Sequence, residues 1–202
     1  MEKIIRYIVV FSSILITISG CSSNIYYLIG LKNVERPAAA KERYGEQKIT
    51  KVKEEGEKKS SFEDALVNIT WLVKADEISF RLSNKTDDSI KIIWDEAAYI
   101  NEGGSNLKVM HSGVEYSERN NPQLPSVIVG KGTLSDNIVP TNLVYFDEGK
   151  NGGWKESRLF PNADNPKALN KYVGKSVQVL LPMQIEHTVY NYIFTFEIEE
   201  II

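Results

Sequence analysis

The sequence predicts an all-β domain, a β-sandwich with one short helix, preceded by a signal peptide and a charged linker. Apolar and polar residues alternate through most of the C-terminal two thirds, the period of half-buried strands. Turn-forming clusters interrupt these runs at the roughly 8- to 12-residue spacing of sandwiches. The first twenty residues have the layout of a secretory signal. The 202 residues fit one ordinary domain with extra segments. With 13 Gly, 7 Pro and a single Cys, the composition excludes a collagen-like chain and a disulfide scaffold. A net charge of −3 and a pI near 5.6 provide no basic footprint for nucleic acid.

Glu2, Lys3 and Arg6 open the chain, an apolar run covers 7–18, and the small residues Ser19 and Gly20 precede Cys21. The run is short for a bilayer span, which takes roughly 20 apolar residues. Ile18-Ser19-Gly20-Cys21 resembles the lipobox of bacterial lipoproteins. The resemblance implies cleavage before Cys21, a diacylglycerol on its thiol and an acyl chain, palmitate among others, on the new amino group. It implies a protein anchored to a bacterial cell envelope. Ser22, in place of Asp, resembles the signal for outer-membrane sorting in diderm cells. Because processing consumes the one cysteine, the domain must be stable without disulfides.

Residues 1–20 are thus read as signal, 21–60 as lipidated start and charged tether, and 61–202 as the β-sandwich domain. Ile25, Tyr26, Tyr27, Leu28, Ile29 and Leu31 either sit in the membrane interface or pack onto the domain. Residues 32–60 hold nine Lys or Arg against six Glu and few large apolar groups, which reads as a solvated spacer. Fully extended, its length reaches about 100 Å. Pro37 opens a short helical stretch that Gly45 ends, and 49–53 is alternatively an edge strand blunted by lysines. Residues 61–202 carry 13 Lys or Arg against 20 Asp or Glu, so an acidic domain follows a basic tether.

Within the domain, strands are predicted over 66–73, 77–82 and 90–94, with 84–88 as a turn. Further strands cover 126–129 and 133–139 around Gly130-Lys131-Gly132, then 143–146, and finally 177–185 and 189–198 joined at 186–188. One helix is expected from an Asn165 cap through Pro166 to Gly174. The stretch Phe80-Arg81-Leu82-Ser83-Asn84-Lys85-Thr86-Asp87-Asp88-Ser89-Ile90-Lys91-Ile92-Ile93-Trp94 is similar to a strand pair of immunoglobulin-like extracytoplasmic domains. The resemblance covers the last 140 residues or so and implies an immunoglobulin-like sandwich without its disulfide. The core then rests on Trp71, Trp94 and the aliphatic faces.

Chemistry is sparse. In the polar stretch 111–123, Glu115, Arg119, Asn120 and Asn121 offer donors and acceptors, with Tyr116 as an amphipathic contact. Trp154, after Gly152-Gly153, is either an exposed aromatic on a binding loop or a core plug. His111 and Ser112 are adjacent and point apart on an extended chain, so they do not form a nucleophile and base. Two histidines and scattered acidic pairs lack the spacing of zinc or calcium sites. No metal, cofactor or catalytic residue is predicted. The expected function is a non-catalytic interaction module, held to the membrane at Cys21 and contacting an envelope protein. The alternative is a small-ligand or glycan-binding domain, weakly hydrolytic at most, that uses the 111–123 loop.

Overall fold

The computed structural model describes residues 27–37, 44–54, 56–162 and 166–202. The signal, Cys21, the helical stretch after Pro37 and the Asn165 cap lie outside the described residues. The fold is all-β. Its strands are β1 (Tyr27–Glu35), β2 (Lys48–Glu54), β3 (Glu57–Glu63), β4 (Val67–Val73), β5 (Ile78–Asn84), β6 (Ile90–Ile92) and β7 (Ala98–Ile100). They continue as β8 (Asn106–His111), β9 (Ser126–Ile128), β10 (Thr133–Pro140), β11 (Val144–Asp147), β12 (Gly153–Glu156), β13 (Ser176–Ile185) and β14 (Thr188–Ile201). A 3-10 helix, Pro166–Tyr172, occupies the place of the expected helix.

Twelve strands form one antiparallel path in the order β1-β14-β13-β7-β8-β10-β5-β4-β3-β2, with β6 beside β13 and β9 beside β6. β11 and β12 form a separate hairpin sheet. The path bends because strands change partners along their length. β10 pairs with β5 through Thr133 to Asn137, then with β8 through Ile138 to Pro140. β13 pairs with β6 near Met183 and with β7 near Val179, the two short strands being split by the 3-10 turn Trp94–Glu96. Strands that switch partners in this way turn the corners of packed sheets.

The bend brings two aromatic faces together. Trp71 of β4 lies 4.8 Å from Phe194 and 5.3 Å from Phe196 of β14, ring centre to ring centre, and 5.1 Å from Phe80. Phe62 meets Phe194 edge-on at 5.6 Å. Period two explains why these residues face inward: β4 and β5 alternate buried and less buried positions without a break, and β13 and β14 do so over most of their length. Trp71 and Trp94 are both buried, as expected for the core.

The boundary at residue 60 is corrected. Residues 27–35, 48–54 and 57–60, assigned to the lipidated start and tether, are in strands of the fold. β1 pairs with β14 from Tyr27↔Ile201 to Glu35↔Ile193, and Ile29, Leu31 and Val34 are buried. Of the two readings of the apolar start, packing onto the domain holds for Tyr27, Ile29 and Leu31. β2 is an edge strand rich in lysine, as the alternative for 49–53 anticipated. Pairing with β14 and burial of the apolar residues of β1 hold the segment, and charge orients it. Basic side chains of the supposed tether meet acidic ones of the body: Lys32 with Glu197, Lys51 with Glu199 at 2.6 Å, and Arg36 with Asp64 at 3.3 Å. Gly30 leaves room for this, since a Cβ there would stand 2.2 Å from the Glu199 carboxylate as it crosses β1 toward β2. The Leu31 N–H donates to Ser60 Oγ at 3.0 Å, joining β1 to β3.

Asp64, buried in the β3–β4 turn, holds this closure. Its Oδ1 accepts the N–H groups of Leu66 and Val67 at 2.9 and 3.1 Å, and its Oδ2 accepts Tyr192 Oη–H at 3.0 Å besides Arg36. Arg36 also donates to the Gly45 carbonyl at 3.1 Å, so its guanidinium ties both ends of the β1–β2 connection together and to Asp64.

Candidate functional site

The loop after β8 is held at both ends. Ser112 N–H donates to Asp136 Oδ1 at 2.9 Å, and the Gln123 side chain, buried, donates to the Val109 carbonyl at 2.7 Å. Lys108 Nζ donates to the carbonyls of Asn120 and Asn121 at 3.1 Å each. Between these ties the 3-10 turn Tyr116–Glu118 presents its side chains toward the β11–β12 hairpin. That hairpin pairs Phe146 with Trp154, which places both rings on one face, with Tyr145 and Lys155 on the other.

The two elements meet in an exposed aromatic and cationic cluster. The Arg119 guanidinium carbon sits 4.8 Å from the Trp154 ring centre, within cation–π range. Tyr116 approaches Trp154 at 6.3 Å, and Phe146 meets it edge-on at 5.5 Å. Arg119 is steadied by donating to the Tyr116 carbonyl at 2.9 Å, and the Tyr116 hydroxyl donates to Glu156. Trp154 remains 38% exposed and Phe146 56%, so Trp154 is a surface aromatic and not a core plug. The far face of the hairpin is braced by Lys155 and Asp147. Lys155 holds the Asp147 carboxyl below its ordinary range, with the Gly149 N–H as a second cause.

Three residues singled out from sequence, Tyr116, Arg119 and Trp154, therefore stand together. Glu115 is exposed beside them at the start of the 3-10 turn, and Asn120 is exposed and takes part through its carbonyl. Phe146 and Glu156 complete the cluster and were missed. The short apolar strand predicted over 143–146 ends at Phe146 without marking it as a site residue, and its partner strand β12, four residues beginning at Gly153, carries no strand signal. Cys21 lies outside the described residues.

The hydrogen bond to Glu156, followed by burial, pushes the Tyr116 phenol up to about 12. A raised folded value means that the bond's stabilisation is complete below the ordinary phenol value of about 10 and is lost as pH rises through 12. Titrating phenolate absorbance in the native protein minus Tyr116→Phe is expected to give a transition near pH 12. A midpoint near 10 would show that the bond to Glu156 does not form.

His111 stacks on Trp94 at 4.4 Å and donates from Nδ1 to Asp136 at 3.1 Å. Ser112 Oγ is not its partner but lies 2.5 Å from Asn137 Oδ1. Among the described residues, no cluster of His, Cys, Asp and Glu could hold a metal ion, and no helix is long and apolar enough to cross a membrane. No family model, curated protein or solved structure matches the chain.

Proposed function

We propose that this chain is a bacterial envelope lipoprotein, acylated at Cys21, whose β domain is a non-catalytic interaction module. Its partner is an envelope protein, and its contact surface is the Tyr116, Arg119, Phe146 and Trp154 cluster. The observation that supports this reading is the exposure of Phe146 and Trp154 beside the half-buried Tyr116 and Arg119, on two braced elements. Trp, Tyr and Arg are the residues that dominate binding energy at protein interfaces, and pre-ordered side chains lose little entropy on binding. The location, outer membrane in a diderm cell, rests on Cys21 and Ser22. We also read the fold as immunoglobulin-like, on the support of the facing aromatic layers of β4 and β14 and the corner made by β10.

Crosslinking in intact cells, with mass spectrometry of the joined proteins, tests the function. One stoichiometric partner is expected, lost in Trp154→Ala and reduced about tenfold or more in Arg119→Ala, the scale of a central interface residue. Cys21→Ser is expected to release the protein from the membrane. A partner captured equally by all variants would discard the cluster as the contact surface. Loss of glycan binding in the same variants, with no protein captured, would favour the ligand-binding alternative.

A further inference from the structure

This inference rests on the reading of Cys21 as the lipid anchor. Only residues 22–26 separate Cys21 from β1. Whatever their conformation, the Cα atoms of Cys21 and Tyr27 are at most about 22 Å apart. The anchor therefore allows no long reach and keeps the Tyr27 end of the fold near the bilayer. The β13–β14 turn, where Ile185 pairs with Thr188, is at the other end of β14, about 40 Å away along the strand.

The Tyr27 end has a distinct surface. Tyr27 pairs with Ile201, stacks on Phe160 at 5.3 Å and donates its hydroxyl to the Pro161 carbonyl at 2.6 Å. The segment after Pro161 runs through the 3-10 helix and is fastened to β14 by Gly174 N–H to the Ile198 carbonyl, 2.8 Å, and Ile198 N–H to the Lys175 carbonyl, 3.0 Å. Residues 165–185 contain Lys167, Lys171 and Lys175 and no Asp or Glu, within a stretch where acids outnumber bases 20 to 13. Lys171 and Lys175 hold their ammonium groups 5.3 and 5.2 Å from the Tyr172 ring centre. Val173 between them is 42% exposed. Asp164 directly precedes the lysine stretch in the sequence; among the described residues, the acids of this end lie on other segments. Asp76 faces Arg158 at 4.0 Å, and Glu102 and Glu200 flank the surface from the β7–β8 turn and β14.

We propose that Lys167, Lys171, Tyr172, Val173 and Lys175 form the membrane-facing surface, and that it engages anionic phospholipid headgroups. The lysines match phosphate, while the tyrosine ring and the exposed valine suit the depth of the headgroup layer. The short link at Cys21 raises the effective concentration of that surface at the bilayer, so a modest intrinsic affinity suffices. The domain is then oriented on the membrane, not merely attached to it.

The test uses the processed full-length protein, reconstituted through its own anchor into vesicles of phosphatidylethanolamine and phosphatidylglycerol. A fluorescent thiol probe is placed at Val173→Cys or, as control, at His187→Cys in the distal turn. Headgroup spin-labelled lipid serves as quencher. Quenching at 173 is expected to exceed that at 187 by about fivefold or more. It should fall to the distal level in Lys167→Glu/Lys171→Glu/Lys175→Glu and drop partway in the milder Lys171→Gln/Lys175→Gln. Vesicles of phosphatidylcholine alone should also lose the difference. Equal quenching at both positions, or no response to charge reversal or to lipid charge, overturns the surface. Mass spectrometry of the Cys21 peptide separates the two failures. An acylated peptide with unselective quenching removes only this inference, whereas an unacylated Cys21 removes both it and the anchor.

Discussion

Asp64→Ala is expected to destabilise the protein by about 3–5 kcal/mol, the cost of leaving a buried charge unpaired. The carboxylate takes four donors: two backbone N–H groups, the Arg36 guanidinium and the Tyr192 hydroxyl. Removing it strands all four, and Arg36 is itself mostly covered, its side chain being only 9% exposed. Tyr192→Phe removes one donor and leaves the rest paired, so it should cost about 1 kcal/mol. Burial, and after it the Asp64 charge, push the Tyr192 phenol far up, so the hydroxyl keeps its proton to donate through the alkaline range. Urea unfolding of the purified variants measures the difference. With a total stability of about 5–15 kcal/mol, Asp64→Ala consumes from about a fifth to all of it. A cost close to that of Tyr192→Phe would mean that Arg36 and the turn find other partners, and that the closure of β1 onto the body does not depend on this carboxylate.

Trp71→Ala is expected to cost a comparable 3–5 kcal/mol, because the cavity opens where the two aromatic layers meet. Trp71→Phe offers a sharper contrast. Among the described residues the buried indole Nε1 of Trp71 has no hydrogen-bond partner, a state that itself costs about 1–3 kcal/mol. Phenylalanine gives up part of the packing but also removes the stranded donor. It should therefore destabilise by well under half as much as alanine. Thermal or urea unfolding of the pair decides this, and equal losses would show that the volume of the indole, not its polarity, governs the site. The surface ion pairs Lys32–Glu197 and Lys51–Glu199 should each contribute less than about 1 kcal/mol, so they orient β1 and β2 more than they hold them.

Much of the β architecture was legible because half-buried strands announce themselves locally. β4, β5, β13 and most of β14 have one face against the aromatic core, so their residues alternate and no knowledge of the partner strand is needed. The strands left outside the predicted domain alternate less cleanly, although β1 buries Ile29, Leu31 and Val34 and β2 reads alternatively as an edge strand. β1 carries two register shifts, between Leu28 and Ile29 and between Leu31 and Asn33, which break its alternation. β2 is exposed along most of its length, and the first half of β3 is lysine-rich. Their composition resembles that of a solvated spacer because their stabilising partners, Glu197, Glu199 and Asp64, are distant in the chain. The surface cluster was half legible for a similar reason. Tyr116, Arg119 and Trp154 were recognisable as amphipathic residues in loops, but only the hairpin register brings Phe146 beside Trp154, and only the ties at Ser112 and Gln123 aim the loop at them.

The sequence by itself determined the all-β class, the identity of Trp71 and Trp94 as core residues, and the 111–123 stretch as a polar loop, because each follows from local periodicity and polarity. The tertiary structure alone decided where the domain begins, which strands close the sheet, and that an arginine and three aromatic rings from two separate segments share one surface. Those outcomes depend on pairing over long sequence separations, where charge complementarity and register select the partner and no short window of residues records the choice.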